Sequence, residues 1–251
     1  MTNDYTNDTF DIIIQGGQSN SEGCGIGHVN HPYEPRPDIL MMDNTFKISI
    51  LQEKVWENNT VGNFVQTFAK DYINNGKLED GRKLLILMAA VGGTGFYDNR
   101  WGMEDDLFLK MTEMIKTALA PNPANRTVTF LWHQGETDTG NPVRDIHYNN
   151  LITLVKSVRQ TAKNENLPFI AGDLVQQWKQ KNLEICIPIV TAIKDVCKDI
   201  GNAAFVGSDG LTSNDEVLRN GDDIHFSREA LYKMGHRYYD AYNNIINSNE
   251  K

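Results

Sequence analysis

The sequence predicts an α/β fold: a three-layer sandwich with a central, mostly parallel five-stranded sheet, in one domain spanning residues 1–251. Apolar runs and amphipathic segments alternate from one end of the chain to the other, the pattern of repeated β-α units. The first strong runs are almost wholly apolar, as strands covered on both faces require. No internal repeat or linker divides the chain, and 251 residues at 40% hydrophobic suffice for one sizeable core.

Residues 1–9 are polar and acidic and are read as a flexible leader without an apolar signal region. Ile12, Ile13 and Ile14 then form a short β-branched strand, stopped by Gly16 and Gly17. Residues 24–59 are rich in proline, asparagine and aspartate and read as a long loop with one short strand at 39–42. Phe64, Val65, Phe68, Ala69 and Tyr72 recur at helical spacing within 61–75, and Gly76 sits at the C-cap position. Residues 83–91 form the second strand of the five and exit into Gly92-Gly93-Thr94-Gly95. A helix at 104–119 closes at Pro121 and Pro123. Val128, Phe130 and Trp132 mark the third strand, 126–133, followed by a long helix at 143–163. The fourth strand is 168–174, and the helix at 183–200 has Pro188 threatening its first turn. A short strand at 203–207 and a closing helix at 228–246, striped by Leu231, Met234, Tyr238 and Tyr242, complete the chain.

The net charge is −9 and no basic patch is visible, which argues against a nucleic-acid partner. Three cysteines, Cys24, Cys186 and Cys197, are too few for a disulfide framework. No apolar run is long enough to span a bilayer. Without a signal region the expected compartment is the cytoplasm, or the exterior if a signal was removed.

Chemistry concentrates at strand ends, where open α/β sheets form ligand sites. Gly17-Gln18-Ser19-Asn20, Gly92-Gly93-Thr94-Gly95 and His133-Gln134-Gly135-Glu136 each follow a strand, and Asp222-Asp223-Ile224-His225-Phe226 precedes the last helix. Ser19 reads either as an exposed nucleophile or as the N-cap of the next helix. Acyl transfer needs a nucleophile, a base, a group orienting the base, and oxyanion donors. Ser19, His225 and Asp222 supply the first three, and the N–H groups of Ser19 and Gly93 with the Gln134 amide supply the last. Asp-x-x-His alone equally suits a surface pair or a helix cap. The spacings His133…Glu136 and Asp222…His225 also permit a metal site, which would leave Ser19 without a use. No cofactor or metal is expected.

Taken together, these blocks resemble the SGNH (GDSL-like) hydrolase superfamily, in its sialate O-acetylesterase-like and carbohydrate esterase family 6 branch. The resemblance runs in order over nearly the whole chain. It implies a flavodoxin-like sheet and a serine esterase removing acetyl or other short acyl groups from a carbohydrate such as sialic acid or acetylated xylan. It assigns Ser19, Asp222 and His225 as the triad, and Ser19, Gly93 and Gln134 as the oxyanion hole. Glu136 and Asn20 support the site, Glu136 being an alternative acid partner for His225, with Asp223 and Asp209 as weaker rivals. Family members often carry methionine after the Ser-Asn pair. Ser21-Glu22 stands here instead, bringing a negative charge near the nucleophile.

The expected partner is a small-molecule or polysaccharide acetyl ester. Tyr33, Phe96, Tyr97 and Trp101 are candidates to stack on a sugar, or to pack their loops against the core, and Arg100 to meet a carboxylate. Alternatives are an esterase or lipase acting on a non-carbohydrate ester and an idle carbohydrate-binding relative. An α/β-hydrolase is disfavoured, because that fold wants Gly-x-Ser-x-Gly in mid-chain and position 21 is serine. A phosphate-binding loop is disfavoured too, for want of Gly-x-x-x-x-Gly-Lys.

Overall fold

The computed structural model describes residues 8–249. The leader expected over 1–9 lies mostly outside them, but its end is ordered. Asp8 pairs with Lys83, and Thr9 opens the first strand.

In chain order the elements are β1 (Thr9–Gly17), α1 (Ser19–Glu22), β2 (Ile39–Met42), β3 (Ile48–Ile50), β4 (Lys54–Trp56), β5 (Asn59–Val61) and α2 (Phe64–Asn74). Then come β6 (Arg82–Met88), α3 (Asp106–Leu119), β7 (Arg126–His133), a 3₁₀ turn (Thr137–Gly140), α4 (Arg144–Thr161) and β8 (Phe169–Gly172). Last are α5 (Gln176–Lys181), α6 (Leu183–Asp199), β9 (Ala203–Val206), α7 (Asn214–Leu218) and α8 (Arg228–Asn249).

Among the described residues the sheet has seven strands, not five, in the order β3-β2-β6-β1-β7-β8-β9. All pairings are parallel except β2 with β3. The two extra strands come from residues 24–59, read as a long loop with one short strand at 39–42; that strand is β2, and β3 is the one not expected. β2 extends the sheet beside β6, and β3 folds back on it through a turn in which the Asp43 carboxylate accepts from the Thr45 and Lys47 amides. β3 is three residues long and only partly buried, too short to register as a periodic pattern. The same segment holds β4 and starts β5, which form a separate exposed hairpin.

Burial follows the pleat. Ile12 and Ile14 join one core with Leu85, Leu87, Phe130, Trp132 and apolar residues of α3, α4 and α6. Ile13 faces the other way, among Leu84, Ile86, α2 and α8. Leu231, Met234, Tyr238 and Tyr242 line the buried face of α8 as the stripe requires. Pro188 lies inside α6 without ending it. The carbonyl its missing N–H would have met belongs to Glu184, an exposed residue on the solvent side.

The amino-terminal edge of the sheet is pinned by Asp11. Its wholly buried carboxylate accepts from Arg82, Arg126 and Tyr72, each at 2.7 Å. The opposite edge is left for the polar loops.

Candidate active site

β1 leaves the sheet where a side chain cannot follow. Gly17 has φ +123°, and a Cβ there would lie 2.1 Å from the His133 carbonyl oxygen. The Gln18 N–H donates to that carbonyl at 3.0 Å, and α1 begins at once. Gln18 is the N-cap and Ser19 the first helical residue, so Ser19 is not the cap that its type also suggested.

Ser19 and His225, 206 residues apart, meet at 2.9 Å between Oγ and Nε2. The His225 Nδ1 stands 2.9 Å from Asp222 Oδ1 and 3.1 Å from Oδ2. An ionised carboxylate only accepts, so Nδ1 carries the proton and Nε2 presents a lone pair to the serine hydroxyl. Burial pushes the His225 pKa down, but the hydrogen bond and charge of Asp222, helped by Glu136, outweigh it and raise it above 6.5. Asp222 is pushed up by burial and more strongly pulled down by hydrogen bonds from His225 and Asn214, and ends below its usual range.

Two asparagines hold this arrangement. Asn20 is wholly buried between the serine turn and the histidine loop. Its Nδ2 donates to Glu136 Oε1 (2.7 Å) and the Ile224 carbonyl (3.1 Å), and its Oδ1 accepts from the Phe226 N–H (3.0 Å). Asn214 donates to Asp222 Oδ2 at 2.8 Å and accepts from the Ile26 N–H at 2.9 Å. Sequence reasoning misses Asn214. Its only signal is the Ser213-x-x-Glu216 capping box around it, which forms as that spacing implies. Gln18 is missed as well. Its Oε1 accepts from the Thr137 N–H (3.1 Å) and lies 3.3 Å from Gln134 Nε2, tying the third loop to the first.

Glu136 makes no hydrogen bond to His225. It is buried, its Oε2 has no hydrogen-bond partner among the described residues, and burial raises its pKa despite the Asn20 contact. Asp223 pairs with Lys181, and Asp209 accepts from Gln176. Asp222 alone of the four expected acids bonds the imidazole.

The glycine loop stands over the serine. A Cβ on Gly92 would lie 3.5 Å from Ser19 Cβ. The Gly92 N–H donates to Glu22 Oε2 at 2.9 Å. Among the described residues, the N–H groups of Ser19 and Gly93 have no protein acceptor. Gly93, at φ +70°, is exposed and its Cβ position is open. Gln134 is wholly buried, with Nε2 spread between Gln18 Oε1 at 3.3 Å and Thr94 O at 3.4 Å.

The expected sugar-stacking residues divide. Trp101 is wholly buried, donating to Thr94 Oγ1 and set edge-on to Trp132, so it packs the loop and has no face to offer. Tyr33 and Phe96 are buried as well. Arg100 bonds both oxygens of Asp106, which leaves its fork occupied. Tyr97 alone of this group is exposed, at 56%. Among the described residues there is no cluster of three or more metal-ligating acids, histidines or cysteines, and no helix long and apolar enough to cross a membrane.

Comparison with curated protein sequences returns no match. Solved structures are similar in fold. NanS aligns with a TM-score of 0.79 at 19% identity, covering 96% of this chain and 98% of that one. A protein from Arabidopsis thaliana aligns at 0.71 and 19% identity, covering 93% and 98%. A carbohydrate acetylesterase from Xanthomonas citri aligns at 0.64 and 13% identity, covering 95% of this chain and 57% of that one. The family described as carbohydrate esterase, sialic acid-specific acetylesterase, matches residues 9–244. The chain belongs to that family of carbohydrate esterases, as the resemblance of its four motif blocks implied, and is a carboxylic ester hydrolase.

Proposed function

We propose that the protein removes O-acetyl groups from a carbohydrate by acyl-enzyme chemistry, with Ser19 as nucleophile, His225 as general base and Asp222 as its orienting acid. The observation that carries this reading is the unbroken line Ser19 Oγ, His225 Nε2, His225 Nδ1, Asp222 Oδ1, with both contacts at 2.9 Å. As Ser19 Oγ attacks the acetyl carbonyl, His225 Nε2 takes its proton. Asp222 keeps Nδ1–H in place and stabilises the imidazolium. The carbonyl oxygen becomes an oxyanion, received by the unengaged N–H groups of Ser19 and Gly93. Gln134 Nε2 joins them by giving up two long contacts. His225 then returns the proton to the departing sugar oxygen, leaving acetyl-Ser19. Water, deprotonated by the same imidazole, attacks the acetyl carbon; the bond from that carbon to Ser19 Oγ breaks, His225 gives the proton back to Oγ, and acetate leaves.

The test is hydrolysis of p-nitrophenyl acetate and of acetylated sugars by the protein and by Ser19→Ala. Turnover is expected to vanish in the variant with the fold intact by circular dichroism. Equal turnover by both proteins would end the proposal.

A further inference from the structure

A cavity of about 270 Å³ lies beside the proposed site. That is small for a ligand pocket, where about 300–1,000 Å³ is usual, and suits one ring rather than a chain. Asp138 and His147 belong to its lining, and both are more than nine-tenths buried. His147 Nδ1 approaches Asp138 Oδ2 to 2.9 Å but out of line for a hydrogen bond, so that oxygen and both ring nitrogens lack a hydrogen-bond partner among the described residues. Phe96 and Tyr97 contribute aromatic surface. Tyr97 is fixed from two sides. Its N–H donates to Asp138 Oδ1 at 2.7 Å, and its ring lies so close to Gly140 that a Cβ there would stand 2.8 Å from it. Asn99, Asn141 and Asn150 complete the polar lining. Among the described residues, none of these three side-chain amides has a hydrogen-bond partner. Asn99 is also held at φ +58°, a strained setting for a residue with a side chain.

The cavity is joined to the proposed catalytic loops through Asp138. A Cβ on Gly95 would meet Asp138 Oδ1 at 2.5 Å and Gln134 Nε2 at 2.9 Å. The glycine loop that carries Gly93 runs directly on into Phe96 and Tyr97, and the segment that carries Gln134 runs on into Asp138 and Asn141.

We infer that this cavity is a subsite for one uncharged sugar ring of the substrate, stacked on Tyr97 and read through its hydroxyls by Asn99, Asn141 and Asn150. Each amide offers both a donor and an acceptor, which matches a hydroxyl's own duality. An exposed, rigid aromatic ring beside such amides fits a sugar's alternating C–H and O–H surface. Among the described residues no lysine or arginine lines the cavity, its one histidine, His147, already stands against Asp138 at 2.9 Å, and Arg100 nearby bonds Asp106. A ring bearing a carboxylate would therefore meet no uncommitted cation there and would face Asp138. The inference rests on the esterase reading above and narrows it to acetylated neutral glycans.

The experiment compares kcat/KM on acetylated xylo-oligosaccharides with kcat/KM on p-nitrophenyl acetate, which carries no sugar. Tyr97→Ala and Asn150→Ala are expected to lower this ratio about 3- to 10-fold each, the scale of one lost contact, and Tyr97→Phe to restore most of it. The wild-type protein is expected to prefer the xylo-oligosaccharides over 9-O-acetylated sialic acid. Titration of Ser19→Ala with deacetylated xylotriose, followed by NMR, separates the two proposals because it needs no turnover. Binding weakened by adding Asn150→Ala supports the subsite even if hydrolysis proves independent of Ser19. An unchanged ratio in both variants, a preference for the sialic acid ester, or xylotriose binding indifferent to Asn150 would overturn it.

Discussion

Asp222→Asn is the sharpest probe of the proposed triad, because its neighbours leave an amide no good orientation. Asp222 Oδ1 receives the His225 N–H (3.3 Å) and Nδ1–H (2.9 Å), and Oδ2 receives the Asn214 amide at 2.8 Å. With its NH₂ at the Oδ1 position, the substituted side chain opposes two donors and forces the imidazole proton onto Nε2. The base then has no lone pair for Ser19. With its NH₂ at the Oδ2 position it opposes the Asn214 NH₂, and turning Asn214 over breaks its bond to the Ile26 N–H. Loss of the correct tautomer costs on the order of 10⁴ in kcat in enzymes built this way. The same change moves the acid limb of the rate profile. His225 works when neutral, so wild-type kcat/KM rises with pH through a value above 6.5. Without the hydrogen bond and charge of Asp222, burial dominates and the limb moves to lower pH. The assay is kcat/KM for p-nitrophenyl acetate from pH 5 to 9, with Glu136→Gln in parallel. If Asp222→Asn stays within tenfold of wild type, or Glu136→Gln loses more, the acid has been assigned to the wrong carboxylate.

Gln134→Ala should lower kcat on the order of 10²–10³ with the substrate KM little changed; a loss under tenfold would make Gln134 a prop for the loops rather than an oxyanion donor. Asn20→Ala breaks three N–H···O hydrogen bonds in a buried setting at about 1 kcal/mol each, so calorimetry should find Tm lower by roughly 6–12 °C at this chain length, and an unchanged Tm would remove Asn20 as the clamp on the histidine loop. His133 is buried and its pKa is lowered from 6.5 to about 3, so between those values the unfolded chain binds a proton the folded chain refuses. Stability therefore drops as pH drops through that window, by about 2–3 kcal/mol at pH 4.5. Urea midpoints at pH 7 and 4.5 should show a smaller acid loss in His133→Leu than in wild type, and equal losses would refute it.

The sequence displays what repeats and what is exceptional. Alternating burial of Ile12, Ile13 and Ile14 needs only a strand covered on both faces, and the run of three says so. Ser19 and His225 stand out because glycines and a carboxylate surround them in a pattern. Residues whose work is to hold others are harder to see. Asn214 is an ordinary helix-start asparagine until folding brings Asp222 to it across eight positions. Trp101 and Tyr97 sit four residues apart in one loop, and nothing local distinguishes the buried ring from the exposed one. What separates them is Thr94 reaching the indole and Gly140 lying under the phenol, both set by tertiary contact. β3 escapes notice for a related reason, since three residues at a sheet edge carry too little periodicity to compete with the turn residues around them.

Glu22 shows how a departure from a family pattern can be absorbed. Its carboxylate stands near the serine, as the sequence implies: one oxygen takes the Gly92 N–H and the other lies 3.4 Å from Lys54 on β4. The Glu22 contact holds the Gly92 peptide, and the N–H of the next residue, Gly93, has no protein acceptor among the described residues. Gly93 can follow only because its φ of +70° is open to glycine at no cost. In the proposed mechanism an acidic side chain beside Ser19 is compatible with an oxyanion, because its carboxylate is already engaged by the Gly92 N–H and by Lys54.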